Sequence, residues 1–153
     1  MSKLKYEGIS SVRLSAGIYA LGKLAGAGIT LLLLSLATLG LPSSGGIPEG
    51  WPVTPAHAVY AYGLVASLVA DALQKLLPAR PVLAAISAYP LCGLGAGLWL
   101  AAEQGGEAWV CAAAGVLVLL VFLLAQSACE RVPALLPVFA FVVPLIFLLP
   151  GLG

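Results

Sequence analysis

Long apolar runs separated by short polar segments dominate this chain. No charged residue occurs in positions 81–102, 108–129 or 132–153, and Glu49 is the single Asp, Glu, Lys or Arg between positions 24 and 70. A helix rises ~1.5 Å per residue, so about 20 apolar residues cross a hydrocarbon core of ~30 Å. The pattern predicts about five membrane-spanning helices.

The predicted spans cover residues 24–41, 55–77, 82–102, 108–128 and 133–149, in a single integral membrane domain over residues 1–153. The first is compatible with a longer helix from Leu14. The fifth is short and contains Pro137 and Pro144, each of which removes a backbone donor, so it is either a kinked span or a re-entrant segment. The predicted fold class is all-α, a polytopic transmembrane helical bundle.

Composition supports a membrane protein. The chain is 61% hydrophobic and 8% charged, with a mean hydropathy of +1.09, which exceeds what a soluble domain can bury. A net charge of +1 without a basic run argues against nucleic-acid binding, which requires many cations to neutralise phosphates. The predicted partners are membrane lipid and either another membrane protein or a second copy of the chain.

The cations predict the orientation. All seven Lys and Arg residues fall on one predicted side of the membrane: Lys3, Lys5, Arg13, Lys23, Lys75, Arg80 and Arg131. The opposite loops and boundaries hold acidic residues and tryptophans: Glu49, Trp51, Trp99, Glu103, Glu107 and Trp109. Cytoplasmic loops are enriched in Lys and Arg. We therefore expect a cytoplasmic amino terminus and a multi-pass protein of the plasma membrane.

The second span has two faces. At ~100° per residue, its polar side chains fall within an arc of roughly 120°, which comprises His57, Tyr60, Ser67, Asp71 and Gln74. Thr54 is a candidate N-cap and Pro55 a first helical residue. A polar stripe is unfavourable against acyl chains, so we expect it to face the bundle, a subunit interface or a cavity. The alternative is that Ser67 permits close packing while His57 and Tyr60 lie at the wet interface.

Asp71 lies close to the predicted cytoplasmic end of the second span, where an unpaired carboxylate is disfavoured. Lys23 enters the first span at the same end. An ion pair between Lys23 and Asp71 is therefore a structural hypothesis. In the alternative, Lys23 extends to the headgroups and Asp71 reaches water or Lys75 at i,i+4.

Small residues recur at helical spacing. Gly22 and Gly26, like Gly93 and Gly97, form GxxxG pairs that allow two helix backbones to approach closely. Packing inside the bundle is one explanation, and self-association of protomers is the other.

Known catalytic patterns are mostly missing from the sequence. His57 is the single histidine, which excludes paired-His metal motifs, and we find no phosphate-binding loop or nucleophile elbow. We predict no catalytic residue, metal site or cofactor. The favoured interpretation is a non-catalytic accessory or assembly subunit of a membrane complex. The alternatives are a homo-oligomeric channel or transporter with a polar pathway lined by the second span, and a lipid-modifying enzyme. For the enzyme, the candidate polar groups are an outer set, His57, Glu49 and Glu103, and an inner set, Lys23, Asp71, Gln74 and Gln126.

Overall fold

Four long apolar helices form the body of a computed structural model that describes residues 3–40, 42–44, 47–49, 51–77 and 81–148. The elements are α1 (Lys3–Thr38), β1 (Ser43–Ser44), β2 (Ile47–Pro48), α2 (Pro55–His57), α3 (Leu64–Leu76), α4 (Pro81–Gln104), α5 (Ala108–Arg131), α6 (Leu135–Pro137) and α7 (Val143–Leu148). Turns of π-helix join α2 to α3 (Ala58–Gly63) and α6 to α7 (Val138–Val142). The all-α helical bundle is confirmed.

The four helical stretches long and apolar enough to cross a membrane are Leu14–Thr38, Pro55–Leu76, Val82–Gln104 and Ala108–Arg131. They alternate in direction along the chain. We call the end where α3 and α5 finish, with Lys75 and Arg131, the basic end. The end where α4 and α5 are joined, with Glu103 and Glu107, is the acidic end. Between α1 and α2 at the acidic end, β1 and β2 pair antiparallel in a two-residue ladder.

The first apolar helix begins well before the predicted start at Leu24. Because α1 is continuous from Lys3, Lys23 lies inside the apolar helix rather than at its entrance, and it is only 3% exposed. The side chains of Lys3, Lys5 and Arg13, and all of Arg80 and Leu149, lie outside the described residues.

The start of the second span follows its predicted cap. The Thr54 side chain accepts a hydrogen bond from the His57 amide at 3.4 Å, and Pro55 occupies the first helical position, so both predictions are confirmed. The π-helical turn that follows adds a residue to one helical turn. It rotates the beginning of the helix relative to the rest. His57 is consequently exposed, whereas Ala58, which a uniform helical period places on the lipid face, is buried.

Glycines bring α4 and α5 together. A Cβ at Gly93 would lie 2.5 Å from the Gly115 carbonyl oxygen, and a Cβ at Gly97 would overlap the Cys111 carbonyl. On α1, a Cβ at Gly26 would lie 3.0 Å from Gln126 Cγ, whereas a Cβ at Gly22 would meet no described atom within 4 Å. Three of the four predicted GxxxG glycines thus lie against helices of the same chain.

The last segment, from α6 to α7, packs along α1. The backbone of Phe139 lies directly against Gly28, and Ala140 belongs to a buried cluster with Ala25 and Cys129. Phe147 lines a cavity together with residues near the carboxyl end of α1. The segment therefore runs in the same direction as α1, from the basic end towards the acidic end.

Candidate functional site

A buried ion pair lies at the centre of the bundle. Lys23 Nζ is 2.8 Å from Asp71 Oδ2, so α1 and α3 bring together the two residues that the sequence suggested as a pair. The Asp71 side chain is 20% exposed and that of Lys23 only 4%. Any functional role for the pair stays a prediction.

The Lys23 ammonium has further acceptors on three helices. It donates to the Ser67 carbonyl at 3.3 Å, to the Tyr89 hydroxyl at 3.0 Å and to Gln126 Oε1 at 3.2 Å. An ammonium carries three protons, and Asp71 is a fourth acceptor, so every proton of Lys23 has a partner inside the protein. This satisfaction is what permits a charge to be buried among apolar helices.

The Asp71 carboxylate is equally well bonded. Its Oδ1 accepts from the Tyr89 hydroxyl at 2.7 Å, and its Oδ2 accepts from the Tyr19 hydroxyl at 2.5 Å as well as from Lys23. Tyr89 is also within 2.8 Å of Gln126 Oε1. Since a phenol has one proton, Tyr89 can donate to only one of these acceptors at a time.

Two aromatic rings lie near the ammonium: Lys23 Nζ is 5.7 Å from the ring centroid of Tyr19 and 5.6 Å from that of Phe122. Tyr89 meets Nζ through its hydroxyl, 3.0 Å away, rather than through the face of its ring. A cation within ~6 Å of a ring centroid is attracted by the negative face of the ring. We call this assembly the Lys23 network; its members are Tyr19, Lys23, Ser67, Asp71, Tyr89, Phe122 and Gln126.

The Lys23 network forms part of the wall of an open cavity at the basic end. The cavity has a volume of about 720 Å³, and Tyr19, Asp71, Tyr89 and Gln126 all line it. Its other polar lining residues are Gln74, Lys75, Ser127 and Glu130. Lys23 itself lies behind this wall, so an entering solute meets the carboxylate of Asp71 before it meets the ammonium.

A second cavity, of about 330 Å³, lies at the acidic end. It is lined by Leu31, Ser35, Thr38, Thr54, Pro55 and Phe147, among others. Along α1, the basic-end cavity reaches Gly22 and the acidic-end cavity reaches Leu31. At ~1.5 Å per residue, about 13 Å of helix separates them. Buried residues fill this interval, including Ala27 and Thr30.

The residues of the predicted polar stripe have different surroundings. Ser67 is fully buried, and its hydroxyl donates to the Leu64 carbonyl at 2.7 Å, while Gln74 lines the basic-end cavity. The Tyr60 hydroxyl is buried without a hydrogen-bond partner among the described residues. His57 departs from the stripe because of the π-helical turn, and its ring packs 5.9 Å from that of Tyr62.

Sequence reasoning missed three members of the Lys23 network. Tyr19 precedes the predicted first span, and Tyr89 and Phe122 lie in helices whose apolar surface is continuous. The one sequence signal for these members was the hydroxyl of Tyr89 in the middle of an apolar span. Hydropathy alone does not show which residue this hydroxyl bonds.

Within the described part of the chain, no cluster of three or more His, Cys, Asp or Glu side chains could hold a metal ion. Comparison of the chain with family models, curated proteins and solved structures gives no match.

Proposed function

We propose that the chain is a small membrane carrier for a cation, in which Asp71 binds the cation and Lys23 supplies the resident counter-charge. The observation that supports this proposal is the position of the Lys23–Asp71 pair: the two charges are 2.8 Å apart, Asp71 lines an open cavity and Lys23 lies directly behind it. Ionisable residues inside a membrane typically mark solute or ion pathways.

The charges around the basic-end cavity favour a cation. The lining contains two carboxylates, Asp71 and Glu130, and one ammonium, Lys75. Asp71 presents its carboxylate towards the cavity, and Gln126 and Tyr89 offer further oxygen atoms beside it. A cation that binds there takes the place of Lys23 as the partner of Asp71, so binding and release exchange one ion pair for another.

The second cavity supports transport rather than binding alone. Cavities approach α1 from both ends, and about 13 Å of packed helix lies between them. A carrier needs a barrier that opens alternately to the two sides. The last segment forms one side of this barrier, and its π-helical turn between Pro137 and Pro144 is the kind of irregular backbone that lines cavities in membrane proteins.

This pathway runs within one chain, which separates the proposal from a channel on the axis of a homo-oligomer. Ser67 is buried inside the bundle and is not available to a central pore between protomers. The proposal includes a cytoplasmic basic end, a location in the plasma membrane, and a fifth crossing by the last segment.

Flux measurements test the proposal. The purified protein is reconstituted into liposomes, and uptake of radiolabelled methylammonium and rubidium down their concentration gradients is followed without added ionophore. We expect wild-type protein to take up at least one of these cations, Asp71→Asn to abolish uptake, and Glu107→Gln, at the acidic end and away from the network, to match wild type. Uptake that survives Asp71→Asn, or that is missing in wild type, would overturn the proposal.

The non-catalytic accessory subunit is the second candidate, and one observation favours it. Every proton of Lys23 is already paired within the chain, so the network can serve simply to hold four helices together. This interpretation predicts recovery with a larger membrane partner in a mild pull-down. It also predicts that the double variant Lys23→Met with Asp71→Leu, which removes both charges, keeps that partner.

A further inference from the structure

We propose that the groups around the Lys23 ammonium form a binding site for primary ammonium ions, and that Lys23 is its tethered occupant. The inference rests on the proposed function in one respect, because it names the class of cation that the carrier takes. Its physical basis is separate: the site is already occupied by a primary ammonium, that of Lys23 itself.

The acceptors of this site belong to helices other than the one that carries the ammonium. Asp71 and the Ser67 carbonyl come from α3, Tyr89 from α4 and Gln126 from α5. None of these hydrogen bonds depends on the covalent link between Nζ and α1. A free ammonium at the same point would find one carboxylate, two carbonyl oxygens and one hydroxyl as acceptors.

The geometry selects among cations. The rings of Tyr19 and Phe122, with centroids 5.7 and 5.6 Å from Nζ, attract any organic cation. The oxygen acceptors lie 2.8 to 3.3 Å from Nζ, close to the length of N–H···O hydrogen bonds, and a quaternary ammonium has no N–H to donate to them. A sodium ion binds oxygen directly but at shorter distances than an ammonium does, so these oxygens are too far apart to coordinate it well. We therefore infer selectivity for ammonium and short alkylammonium ions over quaternary ammonium and sodium ions.

Access comes from the basic-end cavity, because Asp71, Tyr89 and Gln126 each contact both the Lys23 ammonium and the cavity. A solute ammonium has to displace Lys23, whose tether gives it a high effective concentration at the site. Removing the lysine side chain should therefore strengthen binding of the free ion, by roughly tenfold or more.

Two variants at position 23 open the site to different extents. Lys23→Ala removes three carbons and the nitrogen, which together correspond to propylammonium. Lys23→Met retains most of the aliphatic stem, so that only ammonium or methylammonium fits beside Asp71. The size of the best ligand should follow the size of the deletion.

The experiment measures the thermal unfolding midpoint of each variant in detergent or nanodiscs at constant ionic strength. We expect propylammonium to raise the midpoint of Lys23→Ala by several degrees, ammonium to do so for Lys23→Met, and wild type to respond only at higher concentrations. Sodium and tetramethylammonium, which carry a charge but no N–H donor, and 1-propanol, which carries neither, are the control ligands and should have no specific effect. Lys23→Ala combined with Asp71→Asn should lose the response.

The outcome is decisive even if Lys23→Ala folds poorly. Purification in parallel with and without propylammonium then gives the yield of monodisperse protein as the readout, and equal yields would overturn the inference. So would equal responses of the midpoint to propylammonium and tetramethylammonium. A specific shift of the unfolding midpoint without any flux in liposomes would contradict the carrier proposal but support the ammonium site. Flux without a specific shift of the midpoint would support the carrier proposal but contradict the ammonium site.

Discussion

The Tyr19 hydroxyl donates a 2.5 Å hydrogen bond to the carboxylate of Asp71, 52 residues later in the sequence. Hydrogen bonds from O–H to an ionised oxygen are short and roughly twice as strong as neutral ones. The same Asp71 oxygen receives the Lys23 ammonium, and the Tyr19 ring lies beside that ammonium. Tyr19 therefore contacts both charges of the pair and, together with Asp71, lines the basic-end cavity.

Breaking the ion pair on one side should be far more damaging than removing it entirely. Asp71→Asn leaves the Lys23 ammonium buried without its counter-charge, and the loss of one partner of a buried pair typically lowers the free energy of unfolding by about 3–5 kcal/mol. The double variant Lys23→Met with Asp71→Leu places apolar groups at both positions and should lie within about 1 kcal/mol of wild type, since such replacements are often neutral.

Reversible unfolding of wild type, Lys23→Met, Asp71→Leu and the double variant in mixed micelles gives a double-mutant cycle. A coupling free energy close to zero would show that the two side chains do not depend on each other, contrary to the geometry.

Glycine at position 97 should be essential for the packing of α4 on α5. Gly97→Ala places a methyl group onto the Cys111 carbonyl, and over-packing of this kind destabilises by about 1–3 kcal/mol. Gly95→Ala is the matched control in the same helix, because a Cβ at Gly95 meets no described atom within 4 Å. Thermal unfolding should show a lower midpoint for Gly97→Ala and an unchanged midpoint for Gly95→Ala; similar midpoints for both would contradict the close contact.

Tyr60→Phe should leave the protein as stable as wild type or make it more stable. The Tyr60 hydroxyl is buried without a hydrogen-bond partner among the described residues, and an unsatisfied buried polar group is unfavourable by about 1–3 kcal/mol. Tyr89→Phe also removes a hydroxyl, but this one is hydrogen-bonded to Lys23 and Asp71. The substitution should therefore lower the unfolding midpoint. Thermal unfolding of the two variants should show a lower midpoint for Tyr89→Phe and an unchanged or higher midpoint for Tyr60→Phe. A drop for Tyr60→Phe as large as that for Tyr89→Phe would show that the Tyr60 hydroxyl has a stabilising partner.

Labelling at the two ends of the bundle and at the carboxyl terminus tests the topology. In a cysteine-free background, Gln104→Cys at the acidic end should react with a membrane-impermeant maleimide added outside intact cells, whereas Glu130→Cys at the basic end should react only after permeabilisation. A reporter fused after the last residue should be external, because the last segment runs from the basic end to residues beside Thr38. An internal reporter would identify a re-entrant segment instead.

The sequence predicted the helices well because each apolar run is bounded by charged or turn-forming residues. It also suggested Lys23 and Asp71 as partners, since both are charges near the same end of two neighbouring spans. The sequence grouped Gln126 with Lys23 and Asp71, but it did not give Tyr19, Tyr89 or Phe122, because hydropathy does not reveal which way the side chains of an almost wholly apolar helix point. The rotation of a helix about its own axis is decided by packing, here by the glycines between α4 and α5.

The faces on which the first residues of the second span lie were not predictable for a different reason. A uniform period of 3.6 residues assigns His57 and Ala58 to the wrong faces, because the helix contains a π-helical turn over Ala58–Gly63. Composition alone does not reveal such a turn, since AVYAYG is compatible with an ordinary helix. The deviation is confined to the residues before the turn. After it, Ser67 is buried, and Asp71 and Gln74 line the basic-end cavity.

The burial of Lys23 also has a consequence for biosynthesis. Span one emerges from the ribosome with its lysine 48 positions ahead of Asp71, so the charge must enter the membrane before its partner has been made. A lysine near the centre of an inserting helix is unfavourable by about 2.5–3.5 kcal/mol on insertion scales. The first helix should therefore stay beside the insertion machinery, or tilt its lysine towards the headgroups, until the second helix arrives and the two leave for the bilayer as a hairpin.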